Sequence, residues 1–182
     1  MTKFQINLKK RMIEIRIHGR GGQGAVTTSQ LLAIGAFLDG KQTQGFPAFG
    51  VERRGAPSNA FVRIDDKLIN IRSQIYNPDV VLVLDASLFQ AINVTEGLKE
   101  GGMILVNSTK KPEELEIGNK YKVHTFDATG TAMEVFKKPI VNTAIVGAYA
   151  AISGEISLDS LLKACDQRFK GEIAEKNKEI VK

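Results

Sequence analysis

The apolar positions of this 182-residue chain follow two rhythms, one of period two or continuous, the other of period 3.6. "MIEIRIH" (12–18) alternates apolar and polar side chains and predicts a first strand. Between Ala25 and Leu38, residues Leu31, Leu32, Ile34, Gly35 and Leu38 recur at helical spacing. "DGK" ends that helix, with Gly40 suited to a C-terminal cap. A short strand is expected at 42–45, followed by a long loop to residue 60 rich in glycine and proline. "AFVRI" and "KLINIRS" flank Asp65 and Asp66, a hairpin signal. "DVVLVLD" (79–85) is a near-continuous apolar run, as expected of a central strand covered on both faces. "SLFQAINVTEGLKE" (87–100) predicts a short helix; "MILVN" (103–107) and "YKVHTFDA" (121–128) predict strands, and a short helix follows at 129–136. "PIVNTAIVGAYAAIS" (139–153) is apolar nearly all round and predicts a buried helix with Pro139 in its first turn. "SLDSLLKACDQRF" opens a C-terminal helix capped by Ser157, which the charged "GEIAEKNKEIVK" continues or frays.

Strands alternating with helices predict a three-layer α/β/α domain on a mostly parallel sheet, made mixed by the β-hairpin insertion. The expected organisation is a single domain over 12–182 behind a polar N-terminal lead-in, 1–11. Hydrophobic content of 43% and charged content of 25% are ordinary for globular proteins and change little. The net charge of +5 raises nucleic acid as a partner, but the basic residues are dispersed, so neither nucleic acid nor membrane is expected. The start of the chain lacks the apolar core of a secretory signal, and a cytoplasmic setting is expected. The one cysteine, Cys165, excludes an internal disulfide and any four-cysteine cluster supplied by this chain alone.

Two segments carry candidate chemistry. "HGRGGQG" (18–24) lies between the first strand and the first helix, and Gly19, Gly21 and Gly24 satisfy G-x-G-x-x-G. Missing side chains let a ligand approach the backbone, and a helix N-terminus offers free N–H groups to an anion. A dinucleotide reading lacks its acid: Asp39 precedes the second strand, and "QTQGF" has none. Another anion, a tight contact with another chain, or simple close packing of the helix remain open. The long loop interleaves Phe46, Phe49 and Val51 with glycines and prolines before Glu52-Arg53-Arg54. Aromatics beside arginines make interface anchors, and paired arginines grip phosphate or carboxylate. The alternative is an inward-facing cluster with solvated charges. The binding candidates are Gly19, Arg20, Gly21, Gly22, Gln23, Gly24, Arg53 and Arg54, expected side by side at the C-terminal edge of the sheet. His18 is read as structural rather than as a proton carrier, His124 as unremarkable, Asp85 as a cap rather than a catalytic acid, and Cys165 as core filler. No residue is assigned a catalytic role, and no metal-ligand spacing or "GxSxG", "HExxH" or Walker pattern occurs.

"IRIHGRGGQGAVT", "QGFPAFGVERRGAPSNAFVRID", "IRSQIYNPDVVLVLD", "EGLKEGGMILVN" and "IVNTAIVGAYA" together resemble the gamma chain of pyruvate:ferredoxin and related 2-oxoacid:ferredoxin oxidoreductases. The resemblance runs from about Ile13 to the C-terminus. It implies a subunit of an enzyme that converts a 2-oxoacid and coenzyme A to acyl-CoA and CO2, passing electrons to ferredoxin. It also implies that thiamine diphosphate, magnesium and iron–sulfur clusters reside in the partner alpha, beta and delta chains, and that this chain holds no cofactor of its own. Coenzyme A is the expected co-substrate, and Arg20, Arg53 and Arg54 beside the glycine turn would suit its phosphates. A stand-alone anion- or nucleotide-binding module and a purely bridging subunit are the competing expectations.

Overall fold

The computed structural model describes residues 12–48 and 54–182; the expected lead-in 1–11 lies outside them. The strands are β1 (Ile13–Arg20), β2 (Gln42–Pro47), β3 (Pro57–Asp65), β4 (Val80–Val83), β5 (Met103–Asn107) and β6 (Lys122–Phe126). The helices are α1 (Ala25–Leu38), α2 (Ala128–Phe136), α3 (Asn142–Ser153), α4 (Leu158–Arg168) and α5 (Gly171–Val181). One mixed six-stranded sheet runs in the order β2-β3-β1-β4-β5-β6. β1, β4, β5 and β6 are mutually parallel, and β3 lies antiparallel between β1 and β2.

The alternation of β1 sends Ile15 and Ile17 into the larger core, where they meet Leu31 and Leu32 of α1, Leu82 and Leu105 of the sheet, and Ile145 of α3. The same core takes in Leu161, Ala164 and Cys165 of α4 and Ile180 and Val181 of α5. Cys165 is indeed filler: only 1% of it is exposed, and burial pushes its thiol up to about 11. A smaller cluster of Val81, Val83, Leu88, Val94, Leu98, Ile104 and Val106 covers the opposite face. There the covering layer is two 3-10 turns, Ala86–Gln90 and Pro112–Leu115, and loops.

Four expectations need correction. The hairpin does not join 60–64 to 67–73: β3 is already bonded along both edges, from Ile13↔Ile64 to Arg20↔Pro57 on one side and from Gln42↔Asp65 to Pro47↔Ala60 on the other. "KLINIRS" therefore finds no edge and forms a strap, held where Ile69 O accepts from Gln44 Nε2 at 3.1 Å and Ser73 O accepts from Arg63 Nη2 at 2.9 Å. The helix expected over 87–100 is only the short turn. Asp85 accepts from Ser87 N and Asn93 from Thr95 N, local bonds that compete with the helical ladder, and Gly97 adopts φ +67°. α3 begins at Asn142, so Pro139 stands ahead of it rather than in its first turn. Finally, the C-terminal helix is two: Phe169 and Lys170 are extended, and α5 restarts behind them.

Candidate binding rim at the carboxyl end of the sheet

The chain leaves β1 at Arg20, turns through the glycines and enters α1 at Ala25. β2 and β1 are not neighbours in the sheet, yet their following loops do meet. The loop after β2 returns into β3, whose first residue, Pro57, pairs with Arg20. Gly21 N–H donates to Ala56 O at 2.8 Å and Gly55 N–H to Gly21 O at 3.1 Å, which fastens the two segments together.

Arg20 completes the fastening. Its Nε donates to Asp85 Oδ2 at 3.1 Å, its Nη1 to Gly55 O at 3.1 Å and its Nη2 to Ser87 Oγ at 2.8 Å. Gln23 folds back, accepting from Arg20 N–H at 2.7 Å and donating to Asp85 Oδ2 at 3.0 Å. Asp85 is thus a cap, as expected, and also the anchor of the turn. Partial burial pushes its pKa up, but hydrogen bonds from Ser87 and Gln23 and the Arg20 charge outweigh it, leaving the carboxyl below its ordinary value. Arg20 therefore acts as an internal pin more than as an open ligand donor. Arg54 is exposed; Arg53, with Phe49, Val51 and Glu52, lies outside the described residues. Phe46 packs against Phe61 at 5.4 Å between ring centroids, with the Arg63 guanidinium over its face.

Gly24 ends the turn with φ +84°, and α1 begins without a side-chain cap or an acid in its first turn. A Cβ on Gly24 would stand 2.7 Å from Asn142 Nδ2. Gly24→Ala should therefore cost about 2–3 kcal/mol, from left-handed strain plus displacement of that amide. Gly22→Ala, at φ +96° with open space around it, should cost only about 1 kcal/mol. Chemical denaturation of the two variants checks the order; equal losses would show that Asn142 yields freely.

His18 is 3% exposed beneath the rim, its Nε2 accepting from Arg16 Nε at 3.0 Å. It is a structural histidine. Burial first and the neighbouring Arg16 second lower its pKa to about 3. Among the described residues no group of three or more His, Cys, Asp or Glu could hold a metal ion. No helix among them is long and apolar enough to cross a membrane. A cleft of about 270 Å³, lined by Asp79, Gly102, Tyr149 and Glu155 among others, opens at the opposite end of the strands from the rim.

Sequence reading passed over Arg16, Arg63 and Asn142. Each left a trace: a cation at an inward-facing strand position in "EIRIH" and "FVRID", and a lone amide in the otherwise apolar "PIVNTAIVG".

Fold and rim define a mixed-sheet α/β domain with a glycine turn at the carboxyl end of β1 and no candidate metal centre among its described residues. The family model described as pyruvate ferredoxin/flavodoxin oxidoreductase matches residues 14–182, and the chain belongs to that family. It is 57% identical over 166 residues to pyruvate synthase subunit PorC of Methanocaldococcus jannaschii, covering 91% of each chain. It is 56% identical over 169 residues to the common gamma subunit of the pyruvate/ketoisovalerate oxidoreductases of Thermococcus kodakarensis, again covering 91% of each. The crystal structure of pyruvate oxidoreductase subunit PORC from Thermotoga maritima superimposes with a TM-score of 0.81 at 37% identity, over 95% of this chain and 94% of that one.

Proposed function

We infer that this chain is the gamma subunit of a 2-oxoacid:ferredoxin oxidoreductase, a complex that oxidatively decarboxylates a 2-oxoacid with coenzyme A and delivers the electrons to ferredoxin. The observation that carries this is the match along nearly the whole chain to gamma subunits. Pyruvate is the favoured oxoacid, in keeping with the names of those relatives. A single cysteine leaves the redox centres to other chains; thiamine diphosphate, magnesium and iron–sulfur clusters are assigned to alpha, beta and delta partners in the cytoplasm. The domain spanning 12–182 packs on those partners, and its rim forms part of the coenzyme A side of the active site. Free N–H groups at the α1 terminus and the exposed Arg54 support that placement. Arg53 is assigned to it on sequence alone.

Co-purification from the native cell, with ferredoxin reduction assayed across several oxoacids, tests the assignment. The expected product is a multi-chain complex that reduces ferredoxin with pyruvate and coenzyme A. Replacing Arg53 and Arg54 by alanine should raise the coenzyme A KM about tenfold or more, as expected for lost charge-assisted contacts. A bridging role without coenzyme A contact is the second reading, favoured by the inward commitment of the Arg20 donors. It requires an unchanged coenzyme A KM in variants that still assemble. Tight nucleotide binding by the isolated chain would instead mark a stand-alone module.

A further inference from the structure

The cleft at the amino end of the strands, away from the rim, has apolar walls from Ile13, Val80 and Met103 and a polar side built around Tyr149. Tyr149 belongs to α3, and its ring packs in the larger core. It is fully buried, yet its hydroxyl has no hydrogen-bond partner among the described residues. Burial first, then the charges of Glu155 and Asp79, raise its pKa. Both acids are cleft walls, so the hydroxyl end of the ring lies at the polar side of the cleft.

The charges there are unbalanced. Asp79, Glu100 and Glu155 line the cleft against Lys99 and Lys122. Lys99 is already committed, at 2.8 Å to Asp79 and 3.7 Å to Glu14. Burial holds the Glu155 carboxyl above its ordinary value, with Lys41 working against it and Asp66 with it. A further anion is unwelcome in such a place. A cation whose N–H groups reach Glu155 and the phenol oxygen relieves both. The apolar walls suit a hydrocarbon stem behind that charge. Two exposed apolar side chains adjoin the same walls: Tyr76, 68% exposed, three residues before Asp79, and Ile152, 37% exposed, next to Ser153. Apolar side chains around a pocket for one long basic side chain are the make-up of a protein interface. We propose that this cleft seats a lysine or arginine side chain of a partner subunit, with the Tyr149 hydroxyl and the Glu155 carboxylate as its acceptors. The inference rests on the function proposed above, which supplies the partner chains, and adds a second contact surface at the end of the sheet opposite the rim.

The affinity of the full chain for the purified oxidoreductase stripped of it tests this, beside the melting temperature of the chain alone. Tyr149→Phe removes only the hydroxyl. It should weaken assembly about tenfold, yet leave the melting temperature of the free chain unchanged or higher, because an unpartnered buried hydroxyl contributes nothing there. Glu155→Gln should weaken assembly about tenfold and flatten its dependence on salt. Glu155→Lys puts a basic side chain of the chain's own into the cleft and should weaken assembly about a hundredfold. Assembly at wild-type affinity by a folded Glu155→Lys chain overturns the inference. Should that variant not fold, wild-type affinity of Tyr149→Phe overturns it instead. Protection of the free chain by n-butylamine, with variants that assemble as wild type, would mark a small-amine site and also sink it. If the variants assemble normally and the complex still reduces ferredoxin, the functional reading stands without this contact; if the native cell yields no complex, both fall.

Discussion

Arg63→Ala should destabilise the fold by about 3–5 kcal/mol, the range for stripping one partner from a buried ion pair. Arg63 is 1% exposed. Its Nε donates to Glu14 Oε1 at 3.0 Å, its Nη1 to Gln44 Oε1 at 3.3 Å, and its Nη2 to the carbonyls of Ser73 at 2.9 Å and Gln74 at 3.3 Å. One guanidinium thus ties β1, β2 and β3 to the strap that follows β3. Alanine leaves Glu14 half-deserted, with only Lys99 at 3.7 Å, and strands the strap carbonyls over a void. Arg63→Lys keeps the charge but lacks the planar fork, and should recover less than half of the loss. Urea unfolding of the three proteins decides the matter. A loss below about 1 kcal/mol for alanine would mean that water replaces the guanidinium without penalty.

Acidification should expose His18. Its folded pKa is near 3 against an ordinary 6.5. Above pH 6.5 the imidazole is neutral in both states and pH has no leverage through it. As pH falls below 6.5 the unfolded chain takes up a proton that the folded chain refuses, so stability drops by about 1.4 kcal/mol per pH unit until the folded group titrates. The total by pH 3 is on the order of 4 kcal/mol. Burial is the main cause, under a loop whose Val94 and Glu96 carbonyls accept from Arg16 Nη2, and the charge of Arg16, whose Nε already occupies the imidazole Nε2, is the second. His18→Gln keeps an acceptor for Arg16 and cannot be protonated. The wild-type minus variant difference in unfolding free energy should therefore slope downward from pH 6.5 to pH 4. Parallel curves would show that the buried imidazole finds water or moves out to meet its proton.

The parts of the fold legible in the sequence were those governed by short-range pattern. β1 stood out by its alternation, and β4 and β5 because a strand buried on both faces has little besides apolar residues, as in "VVLV" and "MILV". α1 and α4 stood out by their spacing. The hairpin was misplaced because pairing is a long-range choice: Ile64 faces Ile13 and Thr43, and nothing local in "RIDDKLI" says that β1 will claim the edge. The turn after β4 was misread for the opposite reason. Its apolar residues have helical spacing, but Asp85, Asn93 and Gly97 offer the backbone cheaper local bonds. In the rim, Gly22 and Gly24 were visible because φ above zero has few substitutes. Arg20 was visible too, but its role was not: whether a guanidinium faces outward or locks onto Asp85 depends on a partner 65 residues away. Asn142 stayed hidden because an amide inside an apolar helix gains meaning only once Gly24 is placed beside it.

The central claim is that the rim made by the glycine turn and the end of the β2–β3 loop exists to meet another molecule. Hydrogen–deuterium exchange compares the rim directly in the isolated chain and in the purified oxidoreductase. Peptides covering 19–28 and 54–60 should slow on assembly or on addition of coenzyme A, more than peptides from the solvent face of α5. Unaltered exchange across both rim peptides, with coenzyme A present and the complex intact, would contradict the account.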